Sequence, residues 1–273
     1  MSDPDIDALV AFSNGRRLTV LTGAGVSTDS GIPDYRGPET RRRARNPIQY
    51  RQFLKKPEAR RRYWARAVVG YERFRKARPN PGHYALAELE RRGLIRGVVT
   101  QNVDRLHQAA GSRRVIELHG ALAEVVCMHC GATELRSHLQ ERLLEQNPGW
   151  MEMQGTIAPD GDADVDEDVT SRFQMAHCLE CGGPLKPAVV FFGESVPKPV
   201  VERAYALVDE GDALLVVGSS LAVYSGFRFV RHAEKHGIPV AIVNLGESRG
   251  DPLAELVVDR SATAMLEALA AAK

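Results

Sequence analysis

The sequence predicts an α/β fold, a parallel sheet covered by helices on both faces and interrupted once by a small zinc-binding module. Three observations carry this. Short apolar runs alternate with helical patterns toward both ends of the chain, as in sheets buried on two sides. The alternation breaks between Gly120 and Pro187. All four cysteines lie inside that break, as the pairs Cys127-x-x-Cys130 and Cys178-x-x-Cys181. Four thiolates satisfy tetrahedral Zn²⁺ and leave no position for a catalytic water. Cys127, Cys130, Cys178 and Cys181 therefore read as ligands of one structural zinc. The 47 residues between the pairs are too many for a simple zinc ribbon and suggest an inserted domain. The expected division is 1–119 and 188–273 for the sheet domain, and 120–187 for the module.

The elements follow in order. Arg17–Thr22 (RLTVLT) is a buried strand running into the tight turn Gly23-Ala24-Gly25. Leu94–Thr100 (LIRGVVT), Val115–Leu118 (VIEL) and Ala188–Phe192 (AVVFF) give three more strands. Ala213–Val217 (ALLVV) ends in Gly218-Ser219-Ser220, and Pro239–Val243 (PVAIV) ends in Asn244-Leu245-Gly246. Helical periodicity covers Pro57–Lys76, Gly82–Arg92, Val200–Glu210, Gly226–His236 and Ala262–Ala272, with one helix near Glu134–Gln146 inside the module. Ligands of parallel sheets bind beyond the carboxyl ends of the strands. The glycine-rich and polar tripeptides fall at that edge.

Composition narrows the function class. The chain has 273 residues, 44% of them hydrophobic, and a net charge of +1, so no global field draws it to nucleic acid or membrane. No apolar run reaches the roughly 20 residues of a membrane span. The N-terminus MSDPDIDALV has neither the pattern of a signal peptide nor that of a transit peptide. Thiolate ligands suit a reducing compartment, so a cytoplasmic location is expected. Charge is uneven: Arg41–Arg78 holds fifteen Lys/Arg against two Glu, and six of the nine residues Asp160–Asp168 are acidic. Both runs read first as solvated faces or mobile loops. The sharper readings are an anion-attracting rim and a regulatory loop.

Three segments carry chemistry. Gly23-Ala24-Gly25-Val26-Ser27 lets backbone amides approach a phosphate, although Thr28 stands where a G-x-G-x-x-G motif has its third glycine. Gln101-Asn102-Val103-Asp104 directly follows a buried strand and can read an amide-bearing ligand, or else cap the next helix. His119 ends the third strand where the module begins, a place for a general base if a cleft lies there.

Together these segments resemble the sirtuin family of NAD-dependent protein deacylases. The matching blocks are Gly23–Gly37 (GAGVSTDSGIPDYRG), Thr100–His107 (TQNVDRLH), Glu117–Gly120 (ELHG), the cysteine pairs, Val189–Glu194 (VVFFGE), Gly218–Leu221 (GSSL) and Asn244–Gly246 (NLG), in family order. Arg62–Arg66 (RYWAR), Gly111–Arg114, Ala158–Asp162, Val223–Gly226 and the long insert are similar to the class II branch, which includes a mitochondrial lipoamidase and ADP-ribosyltransferase. Without a presequence, the chain looks like a bacterial cytosolic relative.

The resemblance implies a Rossmann-like NAD-binding domain and a set of roles. Gly23, Ala24, Gly25, Ser27 and Thr28 would line the cofactor phosphates. Pro33, Asp34, Tyr35 and Arg36 would belong to a loop over the nicotinamide ribose. Gln101, Asn102, Val103 and Asp104 would shape the nicotinamide pocket, with Asn102 and Asp104 aiding catalysis and His119 as general base. Gly218, Ser219, Ser220, Asn244, Leu245, Gly246 and Ser261 would hold the adenosine half. Val189, Val190, Phe191, Phe192, Gly193 and Glu194 would form the edge where an acyl-lysine peptide adds as a strand. Acyl-lysine proteins are the implied partners, with no membrane and no specific nucleic acid. The segment Gly37–Arg43 is more basic than the family pattern, and no Tyr-x-x-Arg pair for acidic acyl groups is found there.

Two other readings compete. Mono-ADP-ribosyl transfer to a protein would use the same pocket. A zinc-ribbon nucleic-acid binder would use the Arg41–Arg78 stretch, but it leaves Gln101–Asp104 and His119 unexplained.

Overall fold

The computed structural model describes residues 3–34, 47–152 and 170–273. The chain forms two compact units. The first comprises Met1–Arg43, Arg78–Leu118 and Val196–Lys273; the second comprises Ala44–Ala77 and His119–Ser195.

The first unit is built on a six-stranded sheet. Its strands are β1 (Leu18–Thr22), β2 (Ile95–Thr100), β3 (Val115–Glu117), β7 (Ala213–Val217), β8 (Val240–Val243) and β9 (Leu256–Val258), in the order β3-β2-β1-β7-β8-β9. Every neighbouring pair is parallel. Leu18 and Val20 of β1, with Ala213, Leu215 and Val217 of β7, pack on one face against α1 (Pro4–Ser13), α4 (Pro81–Arg91) and α9 (Ala262–Ala272). Leu21, Leu214 and Val216 pack on the other against α7 (Lys198–Asp209) and α8 (Tyr224–Lys235). Alternate residues thus serve opposite cores, which is why these strands read as unbroken apolar runs.

The second unit holds the antiparallel sheet β5-β4-β6, made of β4 (Gly120–Cys127), β5 (Thr133–Leu135) and β6 (Leu185–Val189). Ala188–Phe192, expected as a strand of the alternating series, is replaced by β6, which pairs with β4 in this smaller sheet. The sixth strand of the main sheet is β9, whose three residues are too short for periodicity to show.

Helix α3 (Pro57–Lys76) also falls in this unit rather than with the sheet domain of 1–119. The cause is its aromatic face. Trp64 donates its indole N–H to the Leu185 carbonyl (3.1 Å), and Trp150 donates to Ala65 (2.8 Å). The Arg136 guanidinium of α6 (Arg136–Gln146) lies over the rings of Tyr71 and Trp64, at 4.2 and 5.4 Å.

At Gly120 the backbone has φ +72°, and a Cβ would lie 2.0 Å from the Ala188 carbonyl oxygen. Gly120→Ala is therefore expected to cost more than the ~1–2 kcal/mol of a left-handed residue alone. Calorimetry should show a lowered melting temperature.

Candidate active site

The strand order reverses between β1 and β7, and in such sheets ligands sit outside the carboxyl ends at that point. The two turns leaving these strands touch. The Gly23 amide donates to Val217 (3.1 Å) and the Gly25 amide to Gly218 (2.9 Å). A Cβ on Gly23 would meet Gly218 O at 2.7 Å, and one on Gly25 would meet Gly218 Cα at 2.9 Å. The glycines therefore let the two turns interlock. The amides of Val26 and Ser27 close the tight turn onto Gly23 and Ala24. The amide of Ala24 is the one in this run that these bonds leave for a ligand.

Ser27, 1% exposed, is the hub of a polar cluster below the turn. Its hydroxyl donates to Asp104 Oδ2 (2.7 Å) and accepts from Asn102 Nδ2 (3.0 Å). Asp104 Oδ1 accepts the Leu106 amide (2.9 Å), so Asp104 also caps α5 (Leu106–Ala109). Gln101 Nε2 donates to Ser219 Oγ (2.7 Å), tying the loop after β2 to the loop after β7. A Cβ on Gly226 would strike the Gln101 side chain at 2.6 Å, so glycine is needed there for Gln101 to fit.

Two residues of this cluster escaped the sequence reading. Asn80 Nδ2 donates to the Val26 carbonyl (2.7 Å), while its Oδ1 accepts the amides of Gly82 and His83. His83, fully buried, accepts the Asn80 amide at Nδ1 (3.3 Å). The proton therefore sits on Nε2, which faces Ser27 Oγ at 3.5 Å. With two donors on its oxygen, Ser27 points its own proton at Asp104. Burial lowers the His83 pKa, against the opposing pull of Asp104. Burial, and then repulsion from His83, pushes His107 down to about 3. Both imidazoles are neutral behind the site. The sequence signal was Asn80-Pro81, an N-cap followed by proline at the first helical position.

The other expected residues are placed as follows. Thr28 Oγ1 turns back to the Gly25 carbonyl (3.0 Å). Pro33, Asp34, Val103 and Ser220 are half-buried. Asn244 Nδ2 donates to Leu245 and Gly246, closing its own turn after β8, and leaves Leu245 exposed at 63%. Ser261 precedes α9 as its N-cap. Tyr35, Arg36, the 41–45 loop and the 160–168 loop lie outside the described residues.

In the second unit His119 is half-buried at the start of β4, and its carbonyl accepts the Val190 amide (2.9 Å). Val189 ends β6, an edge strand. Phe191 packs against Phe53 and Tyr63, with ring centroids at 4.8 and 5.3 Å. Phe192 accepts the Tyr50 amide at its carbonyl, and Gly193 is exposed with φ +81°. The Glu194 carboxylate is turned inward, onto the Phe191 amide (2.8 Å).

The four cysteine sulfurs lie within 4.8 Å of one another. Cys127 and Cys181 are 3.5 Å apart, and Cys130 and Cys178 are 3.7 Å apart. Zn–S bonds of about 2.3 Å give tetrahedral edges of about 3.8 Å, so the donor set fits zinc. The Cys130 and His129 amides draw the Cys127 thiol down to about 6. Cys130, although the Ala132 amide lowers it, is pushed up to about 12 by the neighbouring thiols. Four thiolates this close need a dication between them.

The sequence pattern of the Sir2 family matches residues 23–225. An NAD-dependent protein deacetylase of Mycobacterium avium is 55% identical over 267 residues, covering 96% of this chain and 93% of that protein. One from Bordetella bronchiseptica is 52% identical over 257 residues, covering 94% of each. A Sir2 structure with p53 peptide and NAD⁺ superposes with a TM-score of 0.76 at 34% identity, over 96% of this chain and 95% of that one. A further Sir2 enzyme structure gives 0.78 at 32% identity, over 99% and 98%. With most of its length inside the family pattern and a close relative along nearly all of it, the chain belongs to the Sir2 family.

Proposed function

We propose that the chain is an NAD-dependent protein lysine deacylase that moves the acyl group of acyl-lysine to ADP-ribose and releases nicotinamide. The observation that carries this is the Ser27–Asn102–Asp104 cluster at the point where the sheet order reverses. The relatives named as deacetylases favour deacylation over ADP-ribosyl transfer. The residues at this edge fit a dinucleotide: interlocked glycine turns, the Ala24 amide, and buried donors and acceptors around Ser27.

Bound NAD supplies an electrophilic ribose carbon and nicotinamide as leaving group. The Ala24 amide and the turn after β7 bind the phosphates and adenosine half. Asn102 and Asp104, oriented through Ser27 and His83, hold the nicotinamide end. His119 takes the proton from a ribose hydroxyl as general base. The outer edge of β6 and the turn to Glu194 receive the peptide by strand addition. The zinc shell is closed and holds only structure. Acetyl-lysine has the support of the relatives' names, and the basic Gly37–Arg43 segment makes acidic acyl groups a worthwhile second arm.

A panel of acetyl, longer acyl, lipoyl and acidic acyl-lysine peptides, scored for NAD-dependent nicotinamide release, tests the reading. Mass spectrometry should show peptides lighter by the acyl group. ADP-ribose on the acceptor, or turnover without NAD, would overturn it.

A further inference from the structure

Most main-chain groups of Val189–Glu194 are already occupied inside the second unit. The Val190 amide is bound by His119, the Phe191 amide by Glu194 Oε2, and the Phe192 carbonyl by the Tyr50 amide. The Glu194 amide closes back on the Phe191 carbonyl (3.0 Å). The Val189 carbonyl is held by Lys186 Nζ (2.5 Å). Groups left open for a peptide then centre on the Val190 carbonyl and on Gly193, at the tip of the turn.

Lys186 is the unusual member of this arrangement. It is 9% exposed on β6, where a lysine ammonium is costly unless paired. Its Nζ lies 3.1 Å from Glu194 Oε2, the same oxygen that accepts the Phe191 amide. The rings of Phe191 and Tyr50 cover the ammonium at 5.0 and 5.8 Å. Burial lowers the Lys186 pKa, and Glu194 opposes that shift. The charge thus clamps both ends of one turn, the Val189 carbonyl at its start and the Glu194 carboxylate at its end.

We propose that Lys186 and Glu194 are a positioning pair whose buried ion pair fixes the Gly193 turn in the shape that accepts the acyl-lysine peptide. This rests on the reading of Val189–Glu194 as the peptide edge. Glu194 then acts on the turn from within and does not contact the peptide with its carboxylate. An ion pair suits this task better than apolar packing, because it has one geometry and also ties down a backbone carbonyl and an amide.

Steady-state kinetics on the full-length protein tests it. Lys186→Met leaves the Glu194 carboxylate and the Val189 carbonyl without their cation. It is expected to raise the peptide KM on the order of tenfold, with kcat and the KM for NAD changed less than about twofold. Lys186→Arg keeps the charge and should restore the peptide KM to within about threefold. An unchanged peptide KM in Lys186→Met overturns the pairing. So does a uniform loss in kcat and both KM values with a lowered melting temperature, which marks a merely structural role, or a failure of Lys186→Arg to rescue. Peptides N-methylated at the amides flanking the acyl-lysine separate the two layers. If the wild-type enzyme tolerates them, the strand-addition reading itself falls. If it rejects them while Lys186→Met still binds the unmodified peptide normally, the positioning pair alone falls.

Discussion

His119→Ala is expected to lower NAD-dependent deacylation by about 10²–10⁴-fold, the usual contribution of a positioned general base. The imidazole stands on a backbone fixed on both sides in sequence. The Leu118 amide is bonded to the Thr100 carbonyl (2.9 Å), and the His119 carbonyl holds the Val190 amide (2.9 Å). Loss of the ring leaves these bonds intact, so the variant should fold and keep its zinc. NAD affinity, read by calorimetric titration, should change far less than turnover, because the Ser27–Asn102–Asp104 cluster is untouched. Turnover is best followed by mass spectrometry of an acetyl-lysine peptide. Near wild-type turnover would remove His119 from the mechanism.

The second large effect lies in the cysteines. Cys178→Ser should take bound zinc from one ion per chain to none and lower the melting temperature by more than a core truncation does. Truncations cost roughly 2–5 kcal/mol, whereas structural zinc in small domains contributes roughly 10–16 kcal/mol. Cys127 and Cys178 also belong to the apolar core around Trp64, Leu139 and Phe173, so the metal and that core stand together. Zinc is counted by elemental analysis and stability by calorimetry. Exchange of zinc for cobalt should leave turnover within about threefold, since a closed four-sulfur shell offers no open position. A serine variant with full zinc and an unchanged melting temperature would refute the structural site.

The readable parts of the fold were those where local chemistry is decisive. β1, β7 and β8 show as apolar runs because both of their faces are buried. The cysteine spacing carried the zinc shell, because ligand chemistry admits few alternatives. Less readable were elements whose identity depends on partners. β9 has three residues and becomes a strand only beside β8. α1 was legible in principle from the Asp3 cap and Pro4, but its ten residues sit in an acidic stretch that masked the apolar stripe.

Of the site, the sequence by itself determined the residue types at the strand ends: the glycine turns, Gln101–Asp104, and the four thiolates. Tertiary structure decided what each does. It spent the amides of Gly23 and Gly25 on the neighbouring turn, where sequence suggested phosphate contacts. It brought Asn80 and His83, fifty and more residues from Ser27 along the chain, into the cluster that orients Asp104. It also turned Glu194 toward Lys186 and placed α3 in the second unit. The physical reason is common to all of these. A strand-end motif is fixed by backbone sterics within a few residues. The direction of a hydrogen bond or ion pair is fixed by whichever distant group the fold delivers to it.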